Sequence, residues 1–269
     1  MIVNSVQMGY RNQTNLTFNS WHREVRKMTL EGEKIIHRND TWFFRNPELW
    51  PKLVDFFVEE FKNVQKVNVY NYACSNGSEP YTFVMQMLSS FPQEASKFFP
   101  VIAKDYDEEA IKRAKNNEYH VIGNQEIENI NYYTGNNFST YFNVIDEMHS
   151  AKFAYPSQKL CENVEFSLAD INSDYKKIQP DNTIVFVRNF WPYIENWWDR
   201  QKLLNKLFKQ LGENSYIVIG QYDKEATYWG IDNQILEAGF ARTGIEYVYK
   251  KPSVEKQNGV ISTVFRRLF

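Results

Sequence analysis

The pattern of apolar and polar positions changes character near residue 46. The opening segment to about Asp40 is weakly periodic, and the spacing in WHREVRKM predicts one helix around Ser20–Met28 within a loose arm. From Asn46 the pattern sharpens. Asn46 reads as an N-cap, Pro47 as the first helical position, and PELWPKLVDFFVEEFKNV carries apolar residues at i, i+3 and i+4. A β/α alternation follows. VNVYNYA (Val67–Ala73) reads as a buried strand, CSNGSEP as a tight loop and YTFVMQMLSSF as a helix. FFPVIAKDYD predicts a second strand with its exit turn, and DEEAIKRAKNNEY a second helix. From His120 to about Asn163 the rhythm breaks into an Asn- and Tyr-rich stretch, read as an insertion with small helices or antiparallel strands of its own. The alternation resumes with VEFSLADI, TIVFVRNF, a helix over about 199–210, YIVIGQY and a last helix over about 232–238. Two β segments, IEYVYKK and VISTVFRRLF, close the chain. Strands alternating with helices predict an α/β fold with a mainly parallel central sheet.

Composition narrows the function classes. The 269 residues carry a net charge of -2 and are 43% hydrophobic, which suits a globular domain with a real core. A near-neutral balance argues against general affinity for nucleic acid or anionic membrane. Two cysteines are too few for a disulfide scaffold or a cysteine-based zinc site, and no metal is expected. The first thirty residues lack an apolar signal-peptide core, and no stretch approaches the roughly 20 apolar residues that span a bilayer. A cytoplasmic location is expected. Aromatic residues reach 16%, which is high.

In open α/β sheets, ligands bind at the carboxyl ends of the strands, near the point where strand order reverses. The loop Cys74-Ser75-Asn76-Gly77-Ser78-Glu79-Pro80-Tyr81 is neither G-x-G-x-x-G nor a P-loop, which disfavours a pyrophosphate ligand. Its small residues allow close approach, and Gly77 permits a left-handed backbone. Glu79 beside a helix start suits a ligand with a cationic centre; an ordinary turn with an acidic helix start is the competing reading. Asp105, ending the second strand, is placed to accept hydrogen bonds from both hydroxyls of a ribose, while Asp105 or Asp107 also suits a helix cap. Asp170 suits either an adenine amino group or a turn. Arg188 and Asn189, after the strand TIVFV, read poorly as packing, because buried charges require partners. An exposed loop with Arg188 paired to a carboxylate is the alternative.

Four segments together resemble the CheR family of chemotaxis receptor methyltransferases. They are Thr41-Trp42-Phe43-Phe44-Arg45, Ala73-Cys74-Ser75-Asn76-Gly77-Ser78-Glu79-Pro80-Tyr81, Asp105-Tyr106-Asp107 with its helix, and Arg188-Asn189-Phe190-Trp191-Pro192-Tyr193. The late antiparallel pair agrees with S-adenosylmethionine (SAM) methyltransferases. The resemblance implies a Rossmann-like SAM-dependent fold over residues 41–269, with an antiparallel subdomain inserted at about 120–163. Residues 1–40 would be a shortened form of the family's leading helical region. It implies that Ala73, Cys74, Ser75, Gly77 and Glu79 face the methionine end of SAM, Asp105 the ribose, and Asp170 and Ile171 the adenine. Thr41, Arg188 and Asn189 complete the cofactor pocket, and Arg45 and Tyr193 lie nearest the transferred methyl. The implied reaction is methylation of a glutamate carboxylate on a protein, such as a chemoreceptor's cytoplasmic region, by a monomer that leaves S-adenosylhomocysteine (SAH). Such an acceptor is ionised at neutral pH and needs no strong base. Ser78 stands where the family has a glutamate. That departure keeps two alternatives open: a non-catalytic SAM- or SAH-binding module, and a methyltransferase with another acceptor. Of the aromatics, Trp42, Phe43, Phe44, Tyr81, Phe190, Trp191 and Tyr193 would partly wall the pocket, while Phe56, Phe57 and Phe61 have core spacing.

Overall fold

Parallel strands buried on both faces organise the chain, as a computed structural model shows. The structure describes residues 41–253 except 195, 228 and 229, together with the backbone of two strands before them. Those strands, β1 (Arg26–Thr29) and β2 (Gly32–Ile35), pair as an antiparallel hairpin. The helix expected around Ser20–Met28 therefore gives way to a strand from Arg26, and residues 20–25 lie outside the described residues. The expected strand in VISTVFRRLF also lies outside them.

Helix α1 (Leu49–Glu60) leads into β3 (Asn68–Tyr72), α2 (Ser78–Ser90), β4 (Val101–Asp105) and α3 (Glu108–Lys115). The inserted stretch supplies β5 (His120–Gly123), α4 (Asn124–Thr134), α5 (Phe138–Tyr141), β6 (Phe142–Met148), β7 (Ala151–Pro156) and α6 (Gln158–Cys161). The main alternation continues through β8 (Val164–Leu168), α7 (Ile171–Asp174), β9 (Thr183–Phe186), α8 (Trp197–Gln210), β10 (Tyr216–Val218), α9 (Gln221–Ala226), α10 (Ile231–Glu237), β11 (Ala241–Arg242) and β12 (Val248–Lys250).

The central sheet has the order β11-β12-β10-β9-β3-β4-β8, and β5-β7-β6 form a separate antiparallel sheet. The strands from β10 to β8 are parallel, while β12 runs antiparallel to both β10 and β11. Strand order reverses between β3 and β9, which makes their carboxyl ends the switch point.

The pleat divides each strand between two cores. Val69, Ile184, Phe186 and Val218 face one side with α1 and α2, whose Leu53, Phe57, Phe83 and Val84 cover them. Tyr70, Val185, Val187 and Ile217 face the other, covered by Leu203, Leu204 and Leu207 of α8 and Ile231 and Ile235 of α10. Burial on both faces is why these strands read as near-continuous apolar runs. Phe56, Phe57 and Phe61 ring Tyr216 at centroid distances of 5.6 Å, which fits their helical spacing. Asn46 does not cap α1: its backbone is left-handed at φ 57°, and the helix starts after Glu48.

Candidate active site

Four strand ends and the segment before α1 deliver the residues expected to carry chemistry. After β3 the backbone is left-handed at Ala73, Ser75 and Gly77, with φ of 58°, 50° and 94°. Such a conformation costs a non-glycine residue about 1–3 kcal/mol and survives only where the surroundings dictate it. Gly77 is under a second constraint. A Cβ there would meet Cζ of Phe166 at 2.7 Å and Cε2 of Tyr81 at 3.1 Å. The space beside this glycine is thus filled by protein, and its use is the turn rather than ligand access at its own α-carbon. Helix α2 begins at Ser78, three residues before the predicted start. Ser78 is buried, and its amide and hydroxyl both donate to Asn76 Oδ1, at 3.1 and 2.8 Å.

Glu79 and Arg188 form the charged centre. Arg188 Nη1 donates to Glu79 Oε2 at 2.9 Å, with side-chain exposures of 0% for Arg188 and 14% for Glu79. The other Glu79 oxygen accepts from Asn71 Nδ2 at 2.9 Å. Arg188 Nη2 reaches the Arg45 carbonyl at 3.4 Å and Asn46 Oδ1 at 3.3 Å, and the guanidinium lies 4.8 Å from the Trp50 ring centroid. Arg188 is thus buried rather than on an exposed loop, and it is paired to a carboxylate, as the alternative reading expected. Glu79, for its part, is already half-satisfied by a cation from its own chain.

Asp105 is buried at the end of β4. Its Oδ2 accepts the Ser75 amide at 2.8 Å and its Oδ1 the Asp107 amide at 2.9 Å, which ties the loops after β3 and β4 together. Burial raises the Asp105 carboxyl, against the pull of these backbone donors. Asp107 is the cap of α3, accepting from Glu109 and Ala110 amides at 2.9 and 3.2 Å. Asp170 also acts locally: its Oδ1 accepts the Asn172 amide at 2.8 Å and so caps α7, followed by buried Ile171. Cys74 is buried, which pushes its thiol well above the usual range and makes it a packing residue rather than a nucleophile.

The Thr41–Arg45 segment crosses this face from outside the sheet. Half-buried Thr41 opens it, and buried Phe43 and Phe44 pin it. The Phe43 amide donates to Glu126 Oε1 at 2.8 Å and the Phe44 amide to Thr82 Oγ1 at 3.1 Å. Glu126 also accepts the Gly123 amide at 3.0 Å, and burial pushes its carboxyl up to about 7. Arg45 stacks its guanidinium 4.3 Å from the Trp42 ring centroid. Burial and neighbouring Arg188 lower the Arg45 pKa, while Glu79, Asp223 and Tyr193 oppose them, so these groups share one electrostatic neighbourhood. Tyr193 lies 6.4 Å from the Tyr222 ring.

Phe43, Phe44, Tyr81 and Trp191 are fully buried core residues rather than pocket walls; Trp42, Phe190 and Tyr193 are half-buried. Sequence reading missed Glu126, Thr82 and Asp223. A Gly-x-x-Asp pattern straight after an apolar strand was a usable signal for Asp223. Nothing local marked Glu126, because its partner Phe43 is 83 residues away.

A cationic cofactor such as SAM needs acceptors without competing donors. Oδ1 of Asn71 is buried and without a hydrogen-bond partner among the described residues, and Glu79 keeps an exposed edge. These acceptors fit the group.

A family model described as the CheR methyltransferase, SAM-binding domain, matches residues 39–227. Chemotaxis protein methyltransferase 2 of Vibrio cholerae is 21% identical over 228 residues, covering 82% of this chain and 74% of that one. A chemotaxis protein methyltransferase of Listeria monocytogenes is 29% identical over 111 residues, covering 39% of this chain and 40% of its own. Among solved structures, the N-methyltransferase NodS from Bradyrhizobium japonicum covers 78% of this chain and 100% of its own, at 10% identity and a TM-score of 0.40.

Proposed function

From the premise that this chain belongs to the CheR methyltransferase family and carries its SAM-binding domain, we propose that it methylates a glutamate carboxylate of a protein, a chemoreceptor's cytoplasmic region being the simplest acceptor. The observation that carries the reading is Arg45. It is a guanidinium held on Trp42 within the electrostatic neighbourhood of Tyr193 and of the Glu79–Arg188 pair.

When bound, SAM supplies an electrophilic methyl group on a sulfonium. Glu79, the loop from Ala73 to Gly77, and Asn189 hold the methionine end; Asp105 holds the ribose. Asp170, Ile171 and Thr41 complete the rim, and Arg188 keeps Glu79 in place. Arg45 grips one oxygen of the acceptor carboxylate and aims the other, a task suited to a planar fork of donors. Tyr193 lines the acceptor side. The acceptor arrives ionised, so no side chain must remove a proton. Positioning of this kind can be worth about 7–11 kcal/mol. Attack by an anion on a cation also destroys charge, and the half-buried aromatics Trp42, Phe190 and Tyr193 favour that change.

The test is transfer of a labelled methyl group from SAM into protein. A base-labile ester is expected, and a base-stable product refutes the carboxylate acceptor. Arg45→Ala is expected to cut transfer at least a hundredfold while leaving SAH affinity within threefold. Ser78 favours a second reading, a non-catalytic SAM- or SAH-binding module. Its hydroxyl is spent on Asn76, and no charge stands where the family has a glutamate. Tight SAH binding without transfer to any acceptor would establish that reading.

A further inference from the structure

One buried carboxylate outside the four motif segments gathers the backbone of the loop that carries Arg188. Asp223, on the first turn of α9, is fully buried. Its Oδ2 accepts the amides of Asn189 at 2.6 Å and Gly220 at 2.7 Å. Its Oδ1 accepts those of Phe190 at 2.9 Å and Trp191 at 3.0 Å. Four donors fill the lone-pair positions of one carboxylate. Three of them belong to consecutive residues, and Asn189 among these holds a left-handed φ of 56°. N–H dipoles turned to one point repel one another unless an acceptor sits there. The Asn189 side chain also lies over Gly220 so closely that a Cβ on that glycine would meet Oδ1 at 2.2 Å.

The residues before Asp223 reach the other segments of the site. Gln221 accepts a hydrogen bond from Asn46 Nδ2 at 2.5 Å, and Tyr222 stands beside Tyr193. The turn from Gly220 to Asp223 thus touches the loop after β9, the segment after Arg45, and the Tyr193 ring. Asp223 is not part of the Glu79–Arg188 pair; its hydrogen bonds to the loop that carries Arg188 are made to the loop's backbone amides.

We propose that Asp223 is a positioning residue: by anchoring the amides of Asn189, Phe190 and Trp191 it sets the orientation of Arg188 and Asn189, and through them the affinity for the cofactor. The proposal rests on the reading of Arg188 and Asn189 as cofactor-pocket residues. The competing view is a cap that contributes only stability.

Amide hydrogen exchange on the wild-type chain tests the anchor without any variant. The amides of Asn189, Phe190 and Trp191 are expected to exchange as slowly as those of Ile217 and Val218. Exchange at the rate of an open loop overturns the proposal. Calorimetry with SAH then separates positioning from stability. Asp223→Asn turns an amide NH2 toward backbone donors, and SAH should bind at least tenfold more weakly. Asp223→Glu keeps an anionic acceptor and should bind at least threefold tighter than Asp223→Asn. Tyr216→Phe is the control. It removes a hydroxyl bonded to Glu60 at the opposite end of β10, and should lower the thermal midpoint while leaving SAH affinity within twofold. Unchanged affinity in Asp223→Asn, or an equal loss in Tyr216→Phe, overturns the positioning role. A wild-type chain that binds no SAH overturns the cofactor assignment of Arg188 and Asn189 instead, and the exchange rates still decide the anchor.

Discussion

Replacing Glu79 by Met should destabilise the fold more than replacing Arg188 by Met, although both changes remove the same ion pair. The asymmetry follows from where each partner is left. Without the Glu79 carboxylate, the Arg188 guanidinium stays wholly buried, with two long hydrogen bonds of 3.3 and 3.4 Å and the Trp50 ring as its contacts among the described residues. Leaving a buried charge unpaired costs about 3–5 kcal/mol, and the surviving contacts put this case near 3 kcal/mol. In a domain of this size each kcal/mol moves the thermal midpoint by about 2–4 °C, so Glu79→Met should lower it by about 6–12 °C. Arg188→Met instead leaves a carboxylate that keeps its Asn71 hydrogen bond and has a 14% exposed edge that water reaches. A methionine fills most of the vacated volume, and the cost falls to about 1–2 kcal/mol. Urea titrations of both variants at one temperature measure the two costs directly. Equal costs, or Arg188→Met being the worse, would refute the view that Arg188 is the more deeply committed partner.

Gly77→Ala should cost about 2–4 kcal/mol, from a left-handed φ of 94° and from the 2.7 Å approach to Phe166. A double-mutant cycle with Phe166→Leu should recover the steric part and leave the backbone part, and no coupling would contradict the packing described. The buried cluster under α7 makes a pH prediction. Burial alone would raise the Asp174 carboxyl, but hydrogen bonds from Lys104, Lys177 and Tyr72, with the Lys104 charge, hold it at about 2. A carboxyl held below its unfolded value contributes stability above about pH 4 that is lost as pH falls towards 2, here on the order of 2 kcal/mol. Lys104→Met should therefore move acid unfolding to a higher pH, and an unchanged acid midpoint would show that Lys104 does not hold the carboxyl down.

Much of the site was legible because its segments are local. The loop from Ala73 to Glu79, the Asp105 turn and the Arg188-Asn189 pair each follow an apolar strand directly, so their placement at strand ends could be read from spacing. Helix capping by Asp107 was likewise local. Other features depend on residues far apart in the chain. Asp170 reads as an adenine contact or as a turn residue, and the fold has its side chain capping α7. Asn46 reads as an N-cap, yet it turns left-handed to meet Arg188 and Gln221, 142 and 175 residues away. Motif aromatics look alike in sequence, but the packing sends Phe43, Phe44, Tyr81 and Trp191 into the core.

The sequence by itself determined the α/β alternation, the parallel sheet, the inserted stretch and the family, because apolar periodicity and short motifs are properties of neighbouring residues. Only the tertiary structure decided which carboxylate pairs with Arg188, which glutamate anchors the Phe43 amide, and that Asp223 gathers the loop after β9. Those choices are made by buried charges and amides, whose partners are fixed by which strand ends the sheet brings together rather than by distance along the chain.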